Sequence, residues 1–437
     1  MGRLFGTDGV RGLANGEVLT PDLALALARS AARELGGRRA VIGRDTRPSG
    51  PMLQAAAAAG FASAGMDVVL LGVVPTPMVA FACAAGAADI GLVISASHNA
   101  MPDNGLKFFG PGGHKLSDAT EDAIAAGLTQ AGERATGLAV GRIHDVGAAD
   151  LLAAYSAHLL ASVEAPLTGL RVVVDGAQGA ASHLAQEIYR KAGAEVVAIF
   201  CDADGEHIND GCGATHLAAL QAAVLEHRAD LGIAHDGDAD RCLAVDARGQ
   251  VVDGDRVLAI CALGLQARGL LATGTVVATV MSNLGLHHAM RAAGIAVVSS
   301  AVGDRYVLEQ MQAGGHSLGG EQSGHLVFGD LATTGDGLLT ALAVMGRMRA
   351  TGQSLAALAG VVQGLPQVLL NARAGRERAQ APDVLAAVAI EQAALAGTGR
   401  VLLRPSGTEA LVRVMVEAPD QAQADEIAQR LAVVVAR

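Results

Sequence analysis

The sequence predicts an α/β protein: three similar mixed α/β domains around a central cleft, followed by a smaller α+β C-terminal domain. Three observations point there. At 437 residues with 51% hydrophobic content, the chain exceeds what a single core can serve, since cores stop growing near about 250 to 300 residues. Apolar strand-like segments alternate with Ala-rich helical ones, and this plan occurs three times. Each series also ends its third segment in a polar loop: SASHN near 97, DGDADR near 238 and GEQSGH near 323.

The elements follow in order. Thr20 before Pro21 reads as a helix cap and first helical residue, and Gly36 with Gly37 ends that helix. AVIGRD, DVVLLGVV and DIGLVIS then read as strands. The run Leu92, Val93, Ile94 shows no alternation, so this strand is expected to be buried on both faces, as in a parallel sheet covered by helices. Ligands of such sheets bind just beyond the strand ends. LRVVVDGAQGA, AEVVAIF and ADLGIAHDGDAD form the second series, and TVVATVMSNLG, IAVVSSAVGD and HSLGGEQSGH the third. The tail reads as strand QVLLNAR, a helix through APDVLAAVAIEQAALAG, hairpin RVLLRPSGTEALVRVMVEA and a last helix. The expected boundaries are 1–150, 151–250, 251–363 and 364–437.

Composition excludes several classes. The net charge of −11 repels phosphate backbones and anionic lipid, and aromatics are only 2% with no Trp, so nucleic acid is not an expected partner. Residues 68–88 carry no charge, but Pro75 and Pro77 interrupt them and Asp67 and Asp89 flank them. That pattern opposes membrane insertion and fits strand, turn and helix. Cys83, Cys201, Cys212, Cys242 and Cys261 form no C-x-x-C pair, which suits a reducing cytoplasm. The N-terminal MGRLFGTDGVRG has no apolar run, so no secretory signal is expected. Whether the chain pairs as a homodimer stays open.

The loops carry the chemistry. Asp236, Asp238 and Asp240 stand at i, i+2 and i+4, so an extended backbone aims three carboxylates to one side. A cation between them would relieve the repulsion, and hard oxygen ligands favour Mg²⁺ or Ca²⁺ over zinc. An EF-hand is excluded by Arg241 and Ala247 at its sixth and twelfth positions. A solvated acidic turn is the alternative. Mg²⁺ in phosphoryl-transfer sites also takes phosphate oxygens, and Ser97 as a phosphoserine would supply them; taken alone, Ser97 is equally an ordinary turn serine. Lys107 in NGLKF is either a phosphate partner or a surface lysine. In RPSGTE, Arg404, Ser406, Gly407 and Thr408 sit in a turn between strands where N–H groups and hydroxyls converge on an anion, and Arg413 adds a second guanidinium across the hairpin.

FGTDGVRG, ISASHN, DGDADR, GGEQSGH and RPSGTE, in this order from residue 5 to about 417, resemble the α-D-phosphohexomutase superfamily. VMSNLGL, VGDRYV and the form GEQSGH are most similar to its bacterial branch acting on glucosamine phosphates. The resemblance implies that Ser97 carries the phosphoryl group and that Asp236, Asp238 and Asp240 hold one Mg²⁺ together with it. It implies that Glu321 and Ser323 read sugar hydroxyls, and that Arg404, Ser406, Gly407, Thr408 and Arg413 hold the substrate's own phosphate. Arg11, Lys107, Arg241 and His325 line the cleft, Lys107 being a candidate for proton transfer and His98 for orienting the loop. The partner implied is a small sugar phosphate, with glucosamine 1,6-bisphosphate or a similar sugar bisphosphate as activator. Because one phosphate grip must accept either end of the sugar, the tail is expected to act as a lid. Ala100 and Ala410 replace the family's usual Pro, and Gln178 and Ala214 its usual Asn and Ser, which touches rate more than reaction type.

Two rivals remain. Gly315-His316-Ser317-Leu318-Gly319 matches G-x-S-x-G of serine hydrolases, but a helix-like segment precedes it and Gly319 with Gly320 spoils the helix that should follow. A non-catalytic sugar-phosphate sensor would keep the same cleft, and close relatives acting on glucose or mannose phosphates share these motifs.

Overall fold

A computed structural model describes residues 3–6, 8–129, 134–405 and 411–437. It separates into two compact units: Met1–Val280 with Ala296–Ala359, and Met281–Ile295 with Gly360–Arg437.

The first unit holds three sheets. The first contains β1 (Val10–Leu13), β2 (Arg39–Arg44), β3 (Asp67–Val73), β4 (Ile90–Ile94), β5 (Asp103–Phe109) and β6 (Ile143–His144), in the order β1-β5-β4-β2-β3-β6. Around it lie α1 (Pro21–Leu35), α2 (Gly50–Ser63), α3 (Thr76–Ala84), α4 (Asp118–Ala126) and α5 (Ala148–Ala161). Thr20 caps α1 by accepting from the Leu23 N–H at 3.1 Å, and Gly36 ends it at φ 69°, as the sequence predicts. The uncharged run 68–88 is β3, a turn and α3. Every residue of β4 is buried: Ile90, Leu92 and Ile94 join a core with Leu27, Ala28, Leu53 and Phe61 of α1 and α2. On its other face α3 packs so closely that a Cβ at Gly91 would stand 2.8 Å from Val79.

The second sheet orders β7 (Arg171–Asp175), β8 (Glu195–Ile199), β9 (Leu231–Ala234), β10 (Leu243–Asp246) and β11 (Val251–Val252) as β11-β10-β9-β7-β8, with α6 (Leu184–Lys191) and α7 (Ala218–Glu226). The third, after α8 (Gly254–Ala267), orders β12 (Thr275–Thr279), β13 (Ala296–Ser300), β14 (Leu318–Gly320) and β15 (Leu326–Phe328) as β13-β12-β14-β15.

One departure from the expected parallel sheet recurs in all three. β4 pairs parallel with β2 but antiparallel with β5; β9 pairs parallel with β7 but antiparallel with β10; β14 pairs parallel with β12 but antiparallel with β15. Both edges of each run are therefore covered by strands, which buries it whichever way its neighbours point. Each polar loop is the connection by which the chain turns back along its own strand.

In the second unit, α9 (Leu284–Ala292) leaves the third sheet's sequence and packs with the tail. Asn283 Nδ2 donates to the Leu365 carbonyl at 2.9 Å, and Glu417 accepts from the Leu284 N–H at 2.9 Å. After α10 (Asp304–Gly314), α11 (Gly337–Thr351) and α12 (Leu355–Ala359) of the first unit, the tail forms β16 (Gln367–Arg373), α13 (Pro382–Leu395), β17 (Arg400–Pro405), β18 (Leu411–Glu417) and α14 (Gln421–Val435). Its sheet, β16-β18-β17, is antiparallel. Val412, Val414 and Val416 of β18 pack with Ile427 and Leu431 of α14. Among the described residues, no helix is long and apolar enough to cross a membrane.

Candidate active site

The three loops meet within the first unit. Ser97, three places past the sequence end of the fully buried β4, is itself 1% exposed. Its Oγ donates to Asp236 Oδ2 at 2.6 Å across 139 residues of sequence, and His98 Nδ1 lies 3.1 Å from the same Oγ. Ser97 adopts φ 52°, in the left-handed region that costs a non-glycine residue energy. Asn209 Nδ2 donates to the Ser97 carbonyl at 2.9 Å and so joins the serine loop to the second sheet.

Asp236, Asp238 and Asp240 are all buried, and one oxygen from each lies within 4.8 Å of the others. The extended run expected for them is not what brings them together. Residues 236–239 form a turn closed by the Ala239 N–H on the Asp236 carbonyl at 3.0 Å, with Ala239 at φ 58°; the reversal of the chain, not strand alternation, points the carboxylates inward. The turn is seated from outside. The Gly337 N–H at the start of α11 donates to the Ala239 carbonyl, and the Thr76 N–H to that of Asp238, at 3.0 and 2.9 Å. Beneath, Tyr189 Oη lies 2.7 Å from His235 Nε2, whose Nδ1 lies 3.0 Å from the Arg241 carbonyl. With Nδ1 donating to that carbonyl, Nε2 accepts from the tyrosine, a neutral tautomer consistent with burial pushing the His235 pKa down.

Three buried carboxylates cannot share this space fully ionised. Burial first, then Asp240 and Asp236, push the Asp238 carboxyl well above its usual range. Asp236 is held low despite burial, by Arg241 and the Ser97 hydroxyl. Asp238 Oδ1 and Asp240 Oδ1 are buried without a hydrogen-bond partner among the described residues. Orphaned hard oxygens beside like charges are the surroundings a divalent cation satisfies, so these residues fit a metal.

Cations surround the triad. Lys107 Nζ is 2.9 Å from Asp8 Oδ1 and 3.5 Å from Asp240 Oδ2. Although burial alone lowers its pKa, Asp8 and then Asp240 hold it above the usual lysine value, which keeps it charged. Arg11 pairs with Asp8, and Arg241 Nε stands 3.9 Å from both Asp236 and Asp240. His325 Nε2 lies 3.7 Å from Asp240 and 3.4 Å from Asp304 without a hydrogen bond. The sugar loop is joined on by the Cys242 N–H, which donates to the Gly324 carbonyl at 3.0 Å. Glu321 Oε1 accepts from the Gly303 N–H at 3.0 Å, and Ser323 Oγ is buried without a partner among the described residues.

In the second unit, Arg404 and Arg413 are register partners on β17 and β18. Burial and then the neighbouring Arg413 lower the Arg404 pKa. No carboxylate pairs with either among the described residues, so two adjacent guanidiniums favour an anion. Ser406, Gly407, Thr408 and Ala410 lie outside the described residues.

The sequence reading missed several participants. Asp8 and Asp304 sit inside quoted motifs but drew no role, and Lys115, which ion-pairs with both, gave no signal. Thr76, whose Oγ1 donates to Asp238 Oδ2 at 2.6 Å, and Asn209 were also unmarked. Asp45 and Arg47 follow a buried-type strand as charged residues, a pattern that should have drawn notice. The hydrolase rival fails on geometry: Ser317 Oγ accepts from the Ala272 N–H at 2.9 Å and is 3.3 Å from the Leu270 carbonyl, with no helix after it.

Close approach of the two central loops yields a prediction. A Cβ at Gly237 would stand 2.6 Å from the Ser97 carbonyl, so Gly237→Ala must push the serine and aspartate loops apart. Displacement of about 1 Å can cost 10²-fold in rate. Turnover of Gly237→Ala is expected to fall by about that factor, with the far-ultraviolet circular dichroism spectrum unchanged.

A serine at one strand end, an acidic triad at the next and a cation-rich rim form the site of a fold whose four domains all have named counterparts. Phosphoglucomutase/phosphomannomutase alpha/beta/alpha domains I, II and III match residues 2–135, 153–249 and 253–364, and the C-terminal domain matches 369–434. The chain belongs to this phosphohexomutase family, a family of isomerases. Within it, curated relatives matched over nearly their whole length include phosphoglucosamine mutases. One from Saccharopolyspora erythraea is 59% identical, covering 100% of this chain and 99% of its own length. Another, from Mycobacterium sp. (strain KMS), is 57% identical over 99% of this chain and 98% of its own. Among solved structures, a phosphoglucomutase/phosphomannomutase family protein from Burkholderia thailandensis superposes with a TM-score of 0.83 at 26% identity, covering 99% of this chain and 97% of that one.

Proposed function

We propose that the chain interconverts glucosamine 6-phosphate and glucosamine 1-phosphate, with Ser97 as phosphoryl carrier. The observation that carries this reading is the 2.6 Å contact of Ser97 Oγ with Asp236 in a triad of buried, partly unpartnered carboxylates. Phosphorylated Ser97 gives its phosphoryl group to O1 of glucosamine 6-phosphate: the Oγ–P bond breaks, the O1–P bond forms, and the proton lost from O1 is made good on the released Ser97 Oγ. The resulting 1,6-bisphosphate turns end for end and returns its 6-phosphoryl group to Ser97: the O6–P bond breaks, the Oγ–P bond re-forms and the Oγ proton passes to O6, leaving glucosamine 1-phosphate.

Asp236, Asp238 and Asp240 would hold Mg²⁺ with the Ser97 phosphate, and the ion would supply charge stabilisation of the transferred group. Lys107, Arg11 and Arg241 line the path of that charge as fixed cations. A lysine held charged acts as an acid or an electrostatic partner before it can act as a base; His325, beside Asp304 and Asp240, is the second group poised for the proton. Glu321 and Ser323 orient the sugar. Arg404 and Arg413, with Ser406, Gly407 and Thr408, hold the phosphate that is not reacting. Glucosamine 1,6-bisphosphate, or a similar sugar bisphosphate, primes Ser97. The domains are drawn at 1–150, 151–250, 251–363 and 364–437 in a cytoplasmic setting, although α5 (Ala148–Ala161) runs across the first boundary, β11 (Val251–Val252) completes the second sheet just beyond the next, and α9 packs with the tail.

Intact-mass spectrometry tests the scheme. A phosphate adduct on Ser97 that exchanges with labelled sugar bisphosphate is expected, whereas a sensor would show none. A panel of glucosamine, glucose and mannose phosphates should give the highest kcat/KM for glucosamine; a preference for mannose or glucose would reassign the substrate without touching the chemistry.

A further inference from the structure

The serine loop is built around one arginine that lies outside the described chemistry. Arg47 follows β2 in the stretch GRDTRPSG, and its side chain is fully buried, as is that of Asp45. The guanidinium has five N–H donors in a planar fork, and the structure uses all five. Nε donates to Asp45 Oδ2 at 2.9 Å. Nη1 donates to the carbonyls of Ala100 and Asp103, and Nη2 to those of Ser97 and Asn99, at 2.5 to 3.1 Å. Four backbone carbonyls of one loop thus converge on a single rigid group.

A second arm runs through Asp45. Its Oδ2 accepts from Ser95 Oγ at 2.6 Å, and Ser95 Oγ accepts from the Ser97 N–H at 2.8 Å. Both the N–H and the carbonyl of Ser97 are therefore fixed to the same buried ion pair. Ser97 needs such holding, because its φ of 52° is unfavourable for an L side chain. Residue 100 is Ala, which leaves φ free where Pro would lock it, so the loop draws its shape from the guanidinium.

We propose that Arg47 is a positioning residue for phosphoryl transfer: with Asp45 and Ser95 it holds the 97–103 loop in the one shape that presents Ser97 Oγ to the aspartate triad. It touches neither substrate nor the transferred group. Lysine cannot replace it, since an ammonium offers three donors and no fork. The inference rests on the reading of Ser97 as phosphoryl carrier.

The test uses the full chain with Mg²⁺ and glucosamine 1,6-bisphosphate. Arg47→Lys is expected to lower kcat by about 10²-fold while KM stays within about threefold, because sugar binding does not involve the loop's carbonyls. Phosphorylation of Ser97 by the bisphosphate, followed by intact mass, should slow by the same factor. A folded Arg47→Lys with wild-type kcat, or one in which only KM rises, overturns the assignment. Should Arg47→Lys fail to fold, Ser95→Ala decides: it cuts the second arm without unpairing a buried charge. It is expected to lower kcat about five- to tenfold at constant KM, and an unchanged kcat there rejects the clamp. Absence of the adduct in the wild type removes the phosphoserine reading and this inference together; an adduct in the wild type with unimpaired variants removes this inference alone.

Discussion

Ser97→Ala is expected to lower mutase turnover by at least about 10⁴-fold, the order of loss when a covalent nucleophile is removed. Alanine keeps the loop's backbone and its carbonyl contacts to Arg47 and Asn209, and it removes only the hydroxyl that donates to Asp236 at 2.6 Å. Substrate binding should persist: isothermal titration with glucosamine 6-phosphate is expected to give a Kd within a few-fold of wild type, while the phosphate adduct disappears from the intact-mass spectrum. Wild-type turnover in this variant would end the phosphoenzyme scheme. Loss of binding together with turnover would instead mean that Ser97 holds the cleft together.

Asp238→Asn is expected to abolish most activity, by about 10³-fold or more, and at the same time to stabilise the metal-free chain at neutral pH. The reason is linkage. Burial and the neighbouring Asp240 and Asp236 raise the Asp238 carboxyl well above its unfolded value, so the folded chain keeps a proton that the unfolded chain releases. The contribution of Asp238 to stability is therefore fully present below the ordinary carboxylate pKa of about 4 and is lost as pH rises from there through the raised native value. Asparagine has no proton to lose and can still accept from Thr76 Oγ1. Thermal melts in EDTA should put Asp238→Asn roughly 2–4 °C above wild type at pH 7.5, with the gap closing near pH 4. Adding Mg²⁺ should reverse the order at pH 7.5, because a ligand at 100 times its Kd stabilises by about 2.7 kcal/mol. A wild type whose melting ignores Mg²⁺ would show that the triad is not a metal site.

Much of this site was legible from the chain alone, for reasons that differ loop by loop. Asp236, Asp238 and Asp240 announce themselves because three carboxylates at alternate positions behind a buried-type strand repel one another unless a cation or a proton relieves them. Arg404 and Arg413 were placed across a hairpin by counting, and they are register partners. The sequence's expectation of a parallel sheet around β4 was right for one edge and wrong for the other, and β9 and β14 repeat that mixed pairing, since an apolar run records burial and not the direction of its neighbour. Thr76 and Asn209 carry no local mark. A threonine opening a helix and an asparagine in a turn read as ordinary punctuation, and their roles come from hydrogen bonds that span 162 and 112 residues.

By itself, then, the amino-acid order determined the alternation of strands and helices, the repetition of one plan three times and the chemical character of each polar loop. These depend on side-chain type and on contacts a few residues apart, where periodicity and turn chemistry act. Only the tertiary structure decided that Ser97 meets Asp236, that Lys107 is fixed as a cation between Asp8 and Asp240, and that one buried guanidinium gathers four carbonyls of the serine loop. Such juxtapositions arise when separate sheets pack against one another. The energy that selects them comes from burial and from hydrogen bonds between distant segments, which no local stretch of sequence encodes.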